Sequence, residues 1–354
     1  MTQREFVGRV VTIIALVAVA CALVWVIWQT TEIIILLLVS AVLASGFAPI
    51  VEWLEAFPLP RGVRLARGTA IFVVYIGLFA MISGILSLIV IPASAEGRAF
   101  VQHLPSILAA VQTWVTDLQA RYPWLPDFSA QIKELPQQML GLGRYGASAA
   151  SVAFSFLGGV TSMITVLVFS FYMLLQHTII KDAFLSLLPP AERPRGALVL
   201  QRIGAKFGGW FRGQFLLSFT IAAVVSIALL LIGMPYPFLL GIIAGLGELV
   251  PMVGLWIGAT VAMLVALSQP TWRLFVTIAF FVVIMNVEPH YLTPRIMSRE
   301  VGLSPLVTLI SLLVGIKLLG IIGGLLAIPL AAALQVIVAE VAEAIQTNHP
   351  TTPQ

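Results

Sequence analysis

A chain of 354 residues that is 60% hydrophobic and 10% charged, with a mean hydropathy of +1.06, is not an ordinary soluble protein; soluble domains carry about 25% charged residues. The excess of 19 Lys and Arg over 15 Asp and Glu reads first as a topology signal in such a chain, so no nucleic-acid partner is expected. One cysteine, Cys21, excludes an internal disulfide framework and a Cys-rich metal site.

Nine apolar runs contain no Asp, Glu, Lys or Arg, and those over 145–180 and 213–247 are the longest. A helix crosses a bilayer with roughly 20 apolar residues, and the short alternating segments of a membrane barrel are not seen. The expected fold is all-α: a polytopic helical membrane protein with about eight spans in a lipid bilayer, some elements discontinuous or re-entrant, and an amphipathic helical segment outside the membrane.

In chain order, residues 1–95 hold the N-terminal spans, over 10–28, 33–51 and 69–91. Ala18-Val19-Ala20-Cys21 is a weak match to a lipoprotein processing site, and the unbroken apolar run to Trp28 favours a retained span. Arg61, Arg64 and Arg67 put the loop after the second span on the cytoplasmic side, together with both termini. Residues 96–144 form the amphipathic segment: Val101, Leu104, Ile107, Leu108, Val111, Trp114, Val115 and Leu118 recur at helical spacing. Pro123, Pro126 and Pro136 divide its remainder. A cap packed on its own chain or on a neighbour, and a substrate-capturing lid, are both open readings.

Residues 145–180 carry the fourth span. Residues 181–212 are a basic cytoplasmic loop ending in an interfacial helix, with Ile203, Phe207, Trp210 and Phe211 on one side. Residues 213–345 are a C-terminal membrane core and 346–354 a disordered tail. The core opens with a span over 214–232 and then holds two long segments interrupted by glycine and proline. The first breaks over Gly245-Leu246-Gly247-Glu248-Leu249-Val250-Pro251, the second between Gly315 and Gly324. Such interruptions point to discontinuous helices, with a substrate site between the breaks. A shift of 69 residues places Glu248 on Lys317, Pro251 on Gly320 and Gly254 on Gly323, the pattern of a degenerate repeat. In a plain eight-span count Arg295 and Arg299 fall outside, against the positive-inside tendency; a re-entrant hairpin would move them inside.

Glu248 is the only charge between Arg212 and Arg273. A charge at a span's centre costs about 2.5 to 3.5 kcal/mol, which makes an intramembrane carboxylate a functional candidate by default. It has two readings: a group that takes up a proton, a cation or a polar substrate, or a structural carboxylate that closes the break or pairs with Lys317. Lys317 is also isolated, and its bland alternative is a side chain snorkelling to the interface. The polar stretch from Asn286 through Glu288, Pro289 and His290 to Pro294 and Arg295 suits hydrogen bonding at a pore mouth better than metal ligation. The expected pathway residues are thus Glu248, Pro251, Gly247, Gly254, Asn286, Glu288 and Lys317. Gly245, Gly315, Gly320, Gly323, Pro329 and Pro294 are the expected helix breaks or gating positions. No lysine is followed by Ser or Thr, so there is no Walker loop. No clustered nucleophile and base stands out either, and neither an enzyme, a metal nor a cofactor is expected.

Over nearly its whole length in layout, and most specifically in its second half, the chain also resembles the autoinducer-2 exporter (AI-2E) family, called PerM-like as well. The carrying motifs are Phe211-Arg212-Gly213-Gln214, Gly233-Met234-Pro235-Tyr236, the stretch from Gly241 through Glu248-Leu249-Val250-Pro251 to Gly254, Pro294-Arg295-Ile296, Leu303-Ser304-Pro305-Leu306, Gly320-Ile321-Ile322-Gly323 and Ala327-Ile328-Pro329-Leu330. The resemblance implies a multi-pass transporter of the cytoplasmic membrane exporting a small polar solute, with a homo-oligomer, by family resemblance a pentamer, as its assembly. It implies sodium(lithium)/proton antiport as the alternative, and places the family's acidic motif residue on Glu248. Met252 stands where the family often has Tyr, and Lys317 lies outside its pattern. A non-transporting membrane scaffold is the reading from a different class.

Overall fold

The computed structural model describes residues 28–57, 65–122, 149–251, 253–297 and 302–348, with residues 16, 18, 19, 22, 25 and 26 ahead of them. Most of the expected first span, the prolines at 123, 126 and 136, Met252, Arg299 and residues 349–354 lie outside the described residues. The described residues are almost entirely helical and none is in a strand. In order they form α1 (Thr31–Ala56), α2 (Arg67–Arg121), α3 (Ala149–Leu175), α4 (His177–Ser186), α5 (Arg193–Ile232), α6 (Pro237–Gly247), α7 (Gly254–Ala266) and α8 (Thr271–Val287). A π-helix (Glu288–Leu292), α9 (Thr293–Met297) and α10 (Pro305–Asn348) complete the chain.

Among the described residues four helices are long and apolar enough to cross a membrane by length and composition, or five if α4 and the end of α3, bent by 75° at their junction, count as one broken span; α10 is among the four although its chain reverses at Gly320. The polytopic helical class stands. The count leaves out most of the first expected span and covers the third and fourth only in part, because it extends to the described residues alone. With 11 and 13 residues, α6 and α7 are about 17 and 20 Å long, short of a hydrocarbon core of about 30 Å. The third span and the amphipathic segment as far as Arg121 are one helix of 55 residues, α2. The interfacial stretch is likewise continuous with the fifth span as α5, 40 residues long. Its Phe207 and Trp210 are buried against Val42 of α1 and Leu326 and Ile328 of α10, so protein covers the face that the sequence assigned to lipid. Residues 346–348 of the expected tail are helical, because α10 reaches Asn348.

α5 provides the reference axis. At its C-terminal end Gly233 takes the left-handed conformation (φ +74°) that closes the helix, and the Arg273 guanidinium lies 3.2 Å from where a Cβ on it would stand. Midway along α5 Met297 packs on Gly213, and toward the other end the Lys206 ammonium lies beside Gly302 and Glu340 of α10 pairs with Arg195 at 3.2 Å and Arg202 at 3.3 Å. The pair α6–α7 therefore leaves from and returns to one end of α5, and α10 starts and finishes at the opposite, basic end. The basic end is the one that the positive-inside rule expects in the cytoplasm.

Glycines set the packing. α6 lies against α5 through Gly241 and Gly245: a Cβ on Gly241 would collide with Ser226 and come 2.7 Å from the Ala222 carbonyl oxygen, and one on Gly245 would come 2.8 Å from the Ser218 carbonyl oxygen. α7 packs on α6 through Gly258, whose Cβ would stand 2.5 Å from Ala244 Cβ. The outer part of α2 seals the other end of α6. Glu96 Oε2 accepts the Leu239 N–H at 2.8 Å, within the first turn of α6, where a carboxylate satisfies an unpaired donor and meets the positive end of the helix dipole. The ring of Phe100 meets Tyr236 edge-on at 5.6 Å, and Ile107 is buried in the same core. The described part of the amphipathic segment thus packs on its own chain.

Substituting Gly241→Leu is expected to destabilise the protein by about 1 to 3 kcal/mol through overpacking. Gly204→Ala, at a helical glycine with nothing within 4 Å of a new Cβ, is expected to be neutral or stabilising. Thermal midpoints of the two variants in detergent, followed by size-exclusion chromatography, check this contrast.

Candidate functional site

Glu248 follows the last residue of α6 and is 1% exposed. The helix stops there because Pro251 has no N–H to continue the ladder and disfavours helical geometry in the residue before it. The chain turns through bonds from Leu249 N–H to the Leu246 carbonyl (3.2 Å), Val250 N–H to Gly247 (3.1 Å) and Val253 N–H to Val250 (3.2 Å). α7 then begins at Gly254. A Cβ on Gly254 would collide with the Glu248 backbone nitrogen and lie 2.5 Å from its Cα, and one on Gly247 would lie 2.8 Å from Gly254 Cα. Only glycines at these two positions let the arms of the hairpin touch at backbone distance.

One residue closes both helix ends. The Glu248 carboxylate accepts the Leu255 N–H at 3.2 Å, capping α7, and its N–H donates to the Ala244 carbonyl at 3.0 Å, completing α6. Its own carbonyl accepts a hydrogen bond from the side-chain amide of Gln214 on α5, a residue 2% exposed. The sequence marks Gln214 only as part of a motif. Its contribution needs the fold, because 34 residues separate the two partners.

The second break is a chain reversal. Gly320 has φ +62° and ψ −143°, a conformation essentially confined to glycine. It folds α10 on itself so closely that a Cβ on Gly315 would collide with the Gly323 carbonyl and stand 3.0 Å from Ala327 Cβ. In a straight helix residues 315 and 323 would be about 12 Å apart. The two hairpins approach from opposite ends of α5, and their tips meet: a Cβ on Gly324 would stand 3.0 Å from Val250 Cγ1. Pro329 is buried in the second arm of α10, whose helix continues through it.

Other expected pathway residues lie elsewhere. Lys317 is exposed on the first arm of α10 and makes no ion pair with the buried Glu248. Asn286 is exposed and its side chain bonds back to the Val282 carbonyl at 2.7 Å; Pro294 is exposed in α9. Glu288 is buried in the π-helix, where its carboxylate accepts the Thr293 hydroxyl. Within this set the geometry gathers Gly245, Gly247, Glu248, Pro251 and Gly254 at one tip and Gly315, Gly320 and Gly323 at the other, while the hydrogen bonds of Asn286 and Glu288 are local. Among the described residues no group of three or more His, Cys, Asp or Glu is arranged to hold a metal ion.

Opposed re-entrant hairpins meeting inside a helical membrane protein are an architecture of transporters, with the site at the tips. The chain belongs to the AI-2E family of transporters, whose profile it matches over residues 13–343. It is 27% identical to YrrI of Bacillus subtilis (strain 168), a candidate transport protein by name, over 88% of this chain and 87% of the relative. YueF of the same organism, named likewise, is 26% identical over 84% and 81%. A sodium-lithium/proton antiporter of Halobacillus andaensis is 22% identical over 82% and 84%.

Gln214→Leu removes the amide that holds the Glu248 carbonyl and leaves that carbonyl buried, at an expected cost of about 1 to 3 kcal/mol. Hydrogen exchange of the amides over 249–255 is expected to accelerate relative to those of α8, and unchanged exchange there would show that the tip does not depend on Gln214.

Proposed function

We propose that this AI-2E family transporter is a secondary transporter of the cytoplasmic membrane that exports a small polar solute, autoinducer-2-like by family resemblance, between the two hairpin tips. The observation that carries the reading is a single buried carboxylate where the opposed tips meet. A carboxylate inside a membrane accepts hydrogen bonds from hydroxylated solutes and exchanges a proton when its surroundings change. In this reading Glu248 contacts the solute, while Gly247, Pro251, Gly254, Gly315, Gly320 and Gly323 give the tips their shape. Asn286, Glu288 and Lys317 line the approaches. The apolar outer faces suit lipid and the neighbouring subunits of a homo-oligomer.

The antiporter of Halobacillus andaensis favours a second reading on the same fold, in which Glu248 exchanges sodium or lithium for a proton. The two readings separate in reconstituted vesicles: an imposed pH gradient collapses on adding sodium or lithium only if the second holds.

Glu248→Gln and Glu248→Ala test the residue itself. The Gln side chain retains an oxygen to accept the Leu255 N–H and loses the charge, whereas Ala loses the cap as well, at about 0.5 to 2 kcal/mol. Flux is expected to fall at least tenfold in both, as removal of about 1.4 kcal/mol of essential interaction would produce, with the Gln variant close to wild type in stability. Wild-type flux in both variants, at wild-type abundance, would remove Glu248 from the pathway.

A further inference from the structure

A groove of about 350 Å³ runs along the outer surface where α1, α2 and α5 meet, away from the hairpin tips. Its walls are Phe47, Ile50, Leu78, Phe215, Leu216 and Phe219, with one charged side chain, Arg212. The ring of Phe211 lies directly on Gly46, where any Cβ would collide with it, and so forms part of the floor. Arg212 is exposed, and its Nη1 donates to the Gly46 carbonyl at 3.3 Å. The same nitrogen lies 3.2 Å from where a Cβ on Gly208 would stand, so the guanidinium folds back toward the basic end of α5. Phe215, Leu216 and Phe219 extend the other way, about 10 Å along the helix at 1.5 Å per residue. The groove is thus polarised, with a cation at the cytoplasmic end and an apolar trough running into the span.

No carboxylate among the described residues pairs with Arg212. A second copy of the chain or an apolar helix laid in the groove would enclose that charge without a counter-ion, which is unfavourable. An anionic glycerophospholipid satisfies both ends, because its phosphate meets the guanidinium and an acyl chain fills the trough. We propose that this groove is a binding site for one anionic phospholipid of the cytoplasmic leaflet, with Arg212 as its headgroup ligand.

The test uses the full chain purified in detergent, with phosphatidylglycerol, phosphatidylcholine or inorganic phosphate added, read by native mass spectrometry and by thermal midpoint. Wild type is expected to retain phosphatidylglycerol over phosphatidylcholine by about fivefold or more, the factor one arginine at an anionic surface supplies, and to gain midpoint with it. Arg212→Gln is expected to lose that preference. Leu216→Trp, which fills the trough and leaves the arginine in place, is expected to lose retention of both lipids at that site. Equal retention of the two lipids by wild type, an undiminished preference in Arg212→Gln, or an equal midpoint gain from inorganic phosphate would each overturn the proposal. So would efficient intersubunit disulfide formation by Phe215→Cys in a Cys21→Ser background, since the groove would then be a subunit interface.

Discussion

A helix that ends inside a bilayer leaves backbone N–H and C=O groups where no water can reach them, and each such group is costly to bury unpaired. The second half of this chain is organised around that constraint. α6 ends and α7 begins within the packed interior, and Glu248 supplies a partner on both sides of the junction: its carboxylate for Leu255, its N–H for Ala244 and its carbonyl for Gln214. A carboxylate suits the position because it accepts strongly at the positive end of α7. The structural role of Glu248 and the solute contact proposed for it are therefore compatible. The hydrogen bonds that hold the carboxylate at the tip are what make a charge tolerable at the place where a transported solute would meet it.

The same constraint explains the glycines. Short helical arms gain stability in a membrane by close packing, because lipid tails are as apolar as any side chain and offer no hydrophobic drive for association. Gly241 and Gly245 bring α6 onto the α5 backbone, and Gly247, Gly254 and Gly258 bring α7 onto α6. In α10 the pair Gly315 and Gly323 does the same across the reversal at Gly320. Each hairpin tip is closed by one glycine pair, Gly247 with Gly254 and Gly315 with Gly323, of which only Gly254 and Gly323 correspond under the shift of 69 residues.

Much of this was legible in the sequence. The apolar runs gave the class, the isolated charge marked the first tip, and the glycine cluster from 315 to 324 marked the second reversal. Helix continuity was less legible: the charges between residues 96 and 121, with Pro105 among them, suggest an independent segment, yet α2 runs through them to Arg121. Likewise Phe207 and Trp210 have the spacing of a lipid-facing stripe, and only the tertiary arrangement tells that α1 and α10 cover them. The pairing of Glu248 with Lys317 followed from their isolation, but a hydrogen-bonded turn already accommodates the carboxylate, and Lys317 stays exposed on the opposite hairpin. Gln214 and Glu96 act across 34 and 143 residues respectively, beyond the reach of local pattern.

The two hairpins are anchored differently at base and tip. The base of α6 is held by Glu96 and Phe100 of α2, and the second arm of α10 by Glu340 with Arg195 and Arg202. Between the tips the contact is apolar, the Val250 side chain against the Gly324 backbone. Dispersion contacts of this kind are individually about 0.1 to 0.2 kcal/mol per atom pair, far weaker than the hydrogen bonds at the bases. Separation is therefore least costly at the tips, and it requires neither hairpin to leave its anchor. Were either tip to be withdrawn, the carboxylate at the first would travel with its own hairpin, because its partners Leu255 and Ala244 belong to that hairpin.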